Sequence, residues 1–155
     1  MKEIKLTQGK VAIVDDEDYE ELSKHRWYYG NGYAVRHATR ESKKQPKIYM
    51  HIIIMGTESG LELDHISGDA LDNRRENLRH VTHQQNLHNK APNKRGSSQY
   101  KGVHWQKDRK RWHSCIMMDG KSVNLGRYKS EQDAAMAYNE AATKYFGEYA
   151  RLNTI

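Results

Sequence analysis

Cysteine is almost missing from this chain: Cys115 is the single thiol in 155 residues. One thiol cannot build a disulfide framework, and such sparing use suits a reducing compartment. Long apolar runs are missing as well. No stretch approaches the roughly 20 residues that cross a bilayer, and Met1, Lys2 and Glu3 lead into no signal-peptide core. No membrane partner is expected, and the expected location is cytoplasmic. Apolar residues make up only 36% of the chain, which argues against one large core and for small modules filled by aromatics. Ten tyrosines and three tryptophans do much of that filling.

Positive charge is in surplus. The formal charge is +6, so an anionic partner is expected. The surplus is uneven: residues 93–155 hold 12 Lys and Arg against 6 Asp and Glu, whereas residues 49–92 hold 4 against 6. That distribution fits an anion-binding module in the C-terminal third beside a module with another role.

The stretch the rest is organised around is 63–86, LDHISGDALDNRRENLRHVTHQQN. Adjacent Asp64 and His65 lie on an expected strand, and 78–81 reads as a second. Thr82 and Gln85 fit a capping box, a hydroxyl followed three residues later by a glutamine, so a helix carries Asn86 in its second turn. Strand, loop, strand and helix gather a carboxylate, an amide oxygen and an imidazole. Oxygen donors from Asp64 and Asn86 match a hard divalent cation, most simply Mg²⁺. Neutral imidazole at His65 suits proton abstraction from water near pH 7. Together they suit metal-assisted phosphodiester hydrolysis.

The pattern DHxxGDxLDNRxxNLRxxTxxxN, met throughout by 64–86, resembles the HNH (ββα-metal) nuclease motif in its His-Asn-Asn version, as found in phage and intron homing endonucleases. The resemblance implies that His65 is the general base and that Asp64 and Asn86 are the metal ligands. It implies that Asn77 ties down the loop between the strands. His80, His83 and His88 offer a tempting zinc spacing, but structural zinc normally draws on thiolates as well, and Cys115 is far off in sequence. His51 reads as a core histidine, and Ile52 stands where this endonuclease group often has arginine.

Upstream, residues 1–14 alternate as two short strands joined at Gln8-Gly9, and Asp15 to Asp18 read as the solvated start of a short helix. Asn31-Gly32 marks a hairpin between aromatic strands, and 43–46 a polar turn. A third strand over 47–50 runs into a short buried helix ending near Met55.

Downstream, the polar run 87–98 reads as a linker in which Lys90, Lys94 and Arg95 suit a phosphate backbone. Strands are expected over 100–106, 111–117 and 122–125, then a helix capped by Ser130 and stopped by Gly147. Ala134, Ala137, Tyr138, Ala141, Ala142 and Tyr145 form its apolar stripe, facing Val103, Trp112, Ser114, Ile116, Val123 and Leu125. The other sheet face then shows Lys101, His104, Gln106, Arg111, His113, Met117, Ser122, Asn124 and Arg127.

This module resembles the plant Apetala-type (ethylene-response-factor) DNA-binding domain through residues 98–103 (SQYKGV), Trp112, 125–128 (LGRY), 134–138 (AAMAY), Phe146-Gly147 and Leu152-Asn153. The resemblance implies a three-stranded sheet laid in the major groove, with Lys101, His104, Gln106, Arg111, His113, Met117, Asn124 and Arg127 as the DNA-binding set. Met117, Ser122 and Asn124 replace basic or aromatic contact residues of the plant pattern, so the plant target site does not carry over.

The expected fold is α+β: a ββα-metal nuclease domain over 1–90 (a β-rich part over 1–48, the motif over 49–90), a linker over 91–98, and a three-stranded antiparallel sheet with one packed helix over 99–155. The expected function is metal-dependent cleavage of double-stranded DNA, of the homing or mobile-element kind, in a phage or its bacterial host cell. A DNA-binding regulator with an idle nuclease centre is the alternative. An RNA-binding module is a weaker third reading, because the sheet lacks aromatic pairs that stack on splayed bases. Oligomeric state stays open, with a monomer sufficient.

Overall fold

Short, alternating segments dictate small sheets, and the computed structural model, which describes residues 1–38, 46–92 and 96–155, has four of them among those residues. The fold is α+β, in two compact units, Met1–Asn86 and Leu87–Ile155. Most of the turn expected at 43–46, together with Lys94 and Arg95, lies outside the described residues. No described helix is long and apolar enough to cross a membrane.

In the first unit, β1 (Lys2–Lys5) pairs antiparallel with β2 (Val11–Val14), and α1 (Asp16–Ser23) follows. β3 (Tyr28–Gly30) and β4 (Tyr33–His37) form the Asn-Gly hairpin, with both turn residues at positive φ, and β5 (Lys47–Tyr49) joins β4. The chain turns directly into α2 (Met50–Met55). Ile4, Ala12, Val14, Leu22, Trp27 and Met50 pack with Leu78 into one core. Trp27 Nε1 donates to the Leu22 carbonyl at 2.8 Å, so its burial strands no donor. Then come β6 (Glu62–His65), antiparallel to β7 (Leu78–Val81), and α3 (His83–Asn89), whose first four residues end this unit. The capping box closes in both directions: Gln85 Oε1 accepts from the Thr82 amide at 2.8 Å, and Thr82 Oγ1 accepts from the Gln85 amide at 3.3 Å.

The acids at the start of α1 are not merely solvated, as the sequence suggested. Asp18 takes two hydrogen bonds from the Arg75 guanidinium, at 2.9 and 2.7 Å, and Asp15 accepts from the Arg75 amide at 2.8 Å. Glu17 pairs with the same guanidinium at 2.8 Å. Charge complementarity across nearly sixty residues, invisible to local periodicity, fastens the 66–77 loop to α1.

In the second unit, β8 (Val103–Gln106), β9 (Arg111–Met118) and β10 (Lys121–Tyr128) form an antiparallel sheet in the order β10-β9-β8. β8 begins later than expected, after a turn through Gly102, and β10 ends later, because a bulge between Asn124 and Gly126 lets it continue past Leu125. α4 (Glu131–Phe146) starts at Ser130, whose Oγ accepts from the amides of Gln132 and Asp133, a cap worth about 1 kcal/mol. Its buried face is Ala134, Ala135, Tyr138, Ala141 and Ala142. Ala135 therefore belongs to the stripe, and Tyr145, 44% exposed, does not. The last residues are tied back: Asn153 bonds the backbone of Lys101 in both directions and pairs with Asn139. Ser97 and Ser98, expected in the linker, are built into this unit. Ser97 Oγ accepts from the Trp105 amide, and Ser98 Oγ donates to Glu131 at 2.7 Å.

Close packing makes Gly102 irreplaceable. Its φ is +75°, and a Cβ there would sit 2.1 Å from Tyr138 Cδ2 and 2.5 Å from the Cys115 carbonyl. Gly102→Ala is expected to destabilise this unit by about 3 kcal/mol or more, from left-handed strain plus overlap. Thermal unfolding of the full chain measures it, and an unchanged transition would contradict this packing.

Candidate active site

β6 carries Glu62, Asp64 and His65, and alternation puts Glu62 and Asp64 on one face of the strand. Opposite Asp64 in register is Arg79, whose Nε and Nη2 both donate to Asp64 Oδ2, at 3.0 and 2.9 Å. Both partners are largely buried, so this pair is held in place and screened from solvent. Asn86, in the second turn of α3, donates from Nδ2 to Glu62 Oε2 at 2.6 Å, and His83 Nδ1 meets Glu62 Oε1 at 2.7 Å. Those two hydrogen bonds hold the Glu62 carboxyl below its usual pKa, the Asn86 bond most. Glu62 is the residue that sequence reasoning missed, and its signal was its place two residues before Asp64. With the amide nitrogen spent on a carboxylate, Asn86 Oδ1 is the atom with capacity to coordinate.

His65 is buried against the loop that follows β6. Its Nε2 lies 3.3 Å from Asn73 Oδ1, and Asn73 is itself buried, with Nδ2 donating to the Leu71 carbonyl. The β2 edge holds this loop: Ile13 N donates to Leu71 O, and Asn73 N donates to Ile13 O. The Asp72-Asn73-Arg74-Arg75 run is thus a fastened loop with a buried asparagine. Asn77 is buried beneath it. Its Oδ1 accepts from the Ser67 amide at 2.9 Å and its Nδ2 donates to the Asp72 carbonyl at 2.7 Å, joining both ends of the loop. Arg74 adds a two-pronged bond to Asp72, at 2.8 and 2.7 Å.

Burial holds the His65 imidazole below its usual pKa, against the upward pull of the Asn73 bond and the Asp64, Asp69 and Asp72 carboxylates. The ring is neutral near pH 7, as a base requires. Because an Asn Oδ1 can only accept, Nε2 carries the proton and Nδ1 holds the lone pair.

Beside His65 lies His51, ring centroids 5.1 Å apart, within a set that includes Tyr33 and Tyr49. His51 is a core histidine but not a satisfied one, since its buried Nδ1 has no hydrogen-bond partner among the described residues. Burial first, and the His65 charge second, push its pKa down to about 4. The unfolded chain binds this proton near the ordinary 6.5, so between about pH 6.5 and 4 the unfolded state holds more protons. Stability from this group is complete above that window and is lost as pH falls through it, by up to about 3 kcal/mol. Denaturant titrations at pH 7 and pH 4.5 should show the loss, smaller in His51→Gln. An equal loss in both proteins would remove His51 as a cause.

Glu62, Asp64 and Asn86 offer oxygen donors, which fit a hard divalent cation. His80, His83 and His88 go to separate partners and do not share one zinc site: His80 Nε2 lies 3.4 Å from the Gly56 carbonyl, His83 is on Glu62, and His88 stacks on Phe146 at 3.6 Å.

Residues 49–88 match the family described as HNH endonuclease. An uncharacterized HNH endonuclease of Acanthamoeba polyphaga mimivirus is 32% identical over 149 residues, covering 96% of this chain and 77% of that one. The chain belongs to the HNH endonuclease family. It is therefore a DNA-cleaving hydrolase. Protein 3.8 of Escherichia phage T7 is 29% identical over 92 residues, covering 59% of this chain and 75% of that one. An AP2-like ethylene-responsive transcription factor of Arabidopsis thaliana is 42% identical over 59 residues, 38% of the endonuclease and 12% of the plant protein, in the C-terminal part of the endonuclease.

That part does not present every expected contact residue. On β9, Arg111, His113, Cys115 and Met117 share the face away from α4, while Ser114 and Ile116 are buried beneath it. His104 pairs with His113 in register, and the bulge returns Arg127 to the same face, where its Nε donates to Gln106 Oε1 at 2.7 Å. Asn124 lies there too, its Oδ1 2.8 Å from His113 Nε2. Lys101 departs from the expectation. It sits in a turn before β8, and its Nζ donates to the His88 carbonyl at 2.5 Å. Burial lowers its pKa to about 8, with Arg151 and Lys90 adding to the effect. It is a structural lysine and not part of the open face.

Proposed function

We propose that the endonuclease cleaves double-stranded DNA with a divalent cation, most simply Mg²⁺, held by Asp64 and Asn86, and with His65 as general base. What carries this reading is the β6–β7–α3 arrangement: Asp64 and His65 are neighbours on one strand, and Asn86 is fastened to that strand through Glu62. A bound cation supplies stabilisation of charge on the phosphate and the leaving oxygen. The chain's own residues do the rest. His65 takes a proton from the attacking water at Nδ1, while Asn73 holds the ring in that tautomer. Arg79 orients the Asp64 carboxylate, and Glu62 orients the Asn86 amide. Asn77 holds the loop that carries Asn73.

Residues 1–90 form the cutting domain in this reading, and residues 99–155 the part that grips duplex DNA through His104, Gln106, Arg111, His113, Met117, Asn124 and Arg127. The concentration of positive charge beyond residue 92 supports that division. Matches to viral and phage proteins support an enzyme of the homing or mobile-element kind.

Asp64→Ala and Asn86→Ala should each lower cleavage about 100-fold and raise the Mg²⁺ concentration needed for half-maximal rate. EDTA should stop the reaction. Full activity in EDTA would dispose of the metal reading, and an Asn86→Ala protein with normal Mg²⁺ dependence would remove Asn86 from the ligand set.

A further inference from the structure

We propose that His104, His113 and Cys115, on the open face of the C-terminal sheet, form a binding site for a thiophilic transition-metal cation of the Zn²⁺ class. One ligand atom from each of these residues lies within 4.8 Å of the others, among the described residues the single such grouping of three. The placement follows from the strands. His113 and Cys115 are two apart on β9 and so share a face, and His104 lies directly opposite His113 on β8. Two imidazoles and a thiol are the donors that select borderline and soft cations over Mg²⁺.

The surroundings are arranged as around a metal-ligating histidine. Such a histidine gives its second ring nitrogen to an oxygen acceptor, which fixes the tautomer. His113 Nε2 does so, donating to Asn124 Oδ1 at 2.8 Å. The Gly126 amide donates to the same Oδ1 at 3.0 Å and so fixes which end of the Asn124 amide faces the ring. His113 Nδ1 is left with its lone pair, pointing at His104 Nε2 from 3.2 Å. The two rings meet edge to face, centroids 4.7 Å apart, close enough for one cation to bridge them. Cation binding exchanges the Cys115 S–H proton for a metal–sulfur bond and releases that proton to solvent; nothing is oxidised. Three protein donors leave a coordination position open to water. The donor set shares nothing with the oxygen site at Asp64 and Asn86.

Cys115 is the only cysteine, so a thiolate-to-metal charge-transfer band has one possible source. The full-length protein, its thiol kept reduced by a phosphine, is titrated with Co²⁺ and followed in the near ultraviolet. A saturable band at one equivalent is expected, bleached by added Zn²⁺ and missing in Cys115→Ser. His104→Ala and His113→Ala should each weaken Co²⁺ binding at least about tenfold, and Asn124→Ala about tenfold, through loss of the outer-shell bond. His104 is exposed, so its variant should fold as the parent does, and circular dichroism checks each protein. No band in folded protein with a titratable thiol overturns the site. So does a band whose affinity is untouched by both histidine substitutions. Loss of cleavage activity enters neither outcome, because oxygen ligands in the nuclease centre give no such band.

Discussion

His65→Ala is expected to slow DNA cleavage by about 10²- to 10⁴-fold while leaving affinity for duplex DNA within a few-fold. The imidazole is buried, biased to its neutral form, and fixed at Nε2 by Asn73, so in the proposed reaction it would supply a proton acceptor of defined direction. In the proposed function docking on DNA draws on other residues, hence the expected asymmetry between rate and affinity. Because His65 packs on His51, truncation also opens a small void, and a His65→Gln protein separates the two effects. Glutamine fills most of the volume but cannot take the proton at neutral pH, so it should be as inactive as alanine. Asn73→Ala provides a further check: it frees the ring tautomer without removing the base, and should cost less than either. If His65→Gln cuts at near the parent rate, the proton goes elsewhere and this imidazole is not the base.

What could be read in advance was local. The capping box at Thr82 and Gln85 needs only four residues, and it forms as written. The Asn31-Gly32 hairpin and the Ser130 cap are likewise decided by backbone chemistry over a few positions. Pairings between distant segments were not legible. Arg75 finds Asp15 and Asp18 across nearly sixty residues, and no period or spacing in the chain announces it. Glu62 carries no motif of its own: its place two residues before Asp64 sets only its strand face, and the placement of α3 brings Asn86 onto it. Lys101 shows the opposite failure. Strand alternation extended back to residue 101 put it on the open face, but the strand starts at Val103, and the turn sends the ammonium to the His88 carbonyl. The same alternation taken two residues on from His113 points to Cys115, whose isolation in the sequence hides its nearness to two histidines.

Duplex binding by the full-length protein is expected to weaken by about 10³-fold as salt rises from about 50 to about 200 mM. Beyond residue 92 the basic residues outnumber the acidic ones two to one, and each phosphate they neutralise releases condensed counterions. Individual substitutions should then sort by geometry. Arg111 lies on the open face of β9, and its Nη1 donates only to the neighbouring Lys110 carbonyl among the described residues, a placement that suits DNA contact. Arg111→Ala should weaken binding about tenfold and flatten the log–log salt slope by about one if it meets a phosphate. If it reads a guanine edge instead, the loss should depend on sequence. Arg127 shares its guanidinium with Gln106, so Gln106→Ala should change Arg127-dependent binding as well. Lys101→Met is the control. Its ammonium is already held by a backbone carbonyl, so the substitution should lower the unfolding temperature and leave the salt slope alone. A shallow salt dependence in the parent, or a slope that moves with Lys101 and not with Arg111, would take DNA off this sheet and leave the N-terminal hairpins to supply the grip.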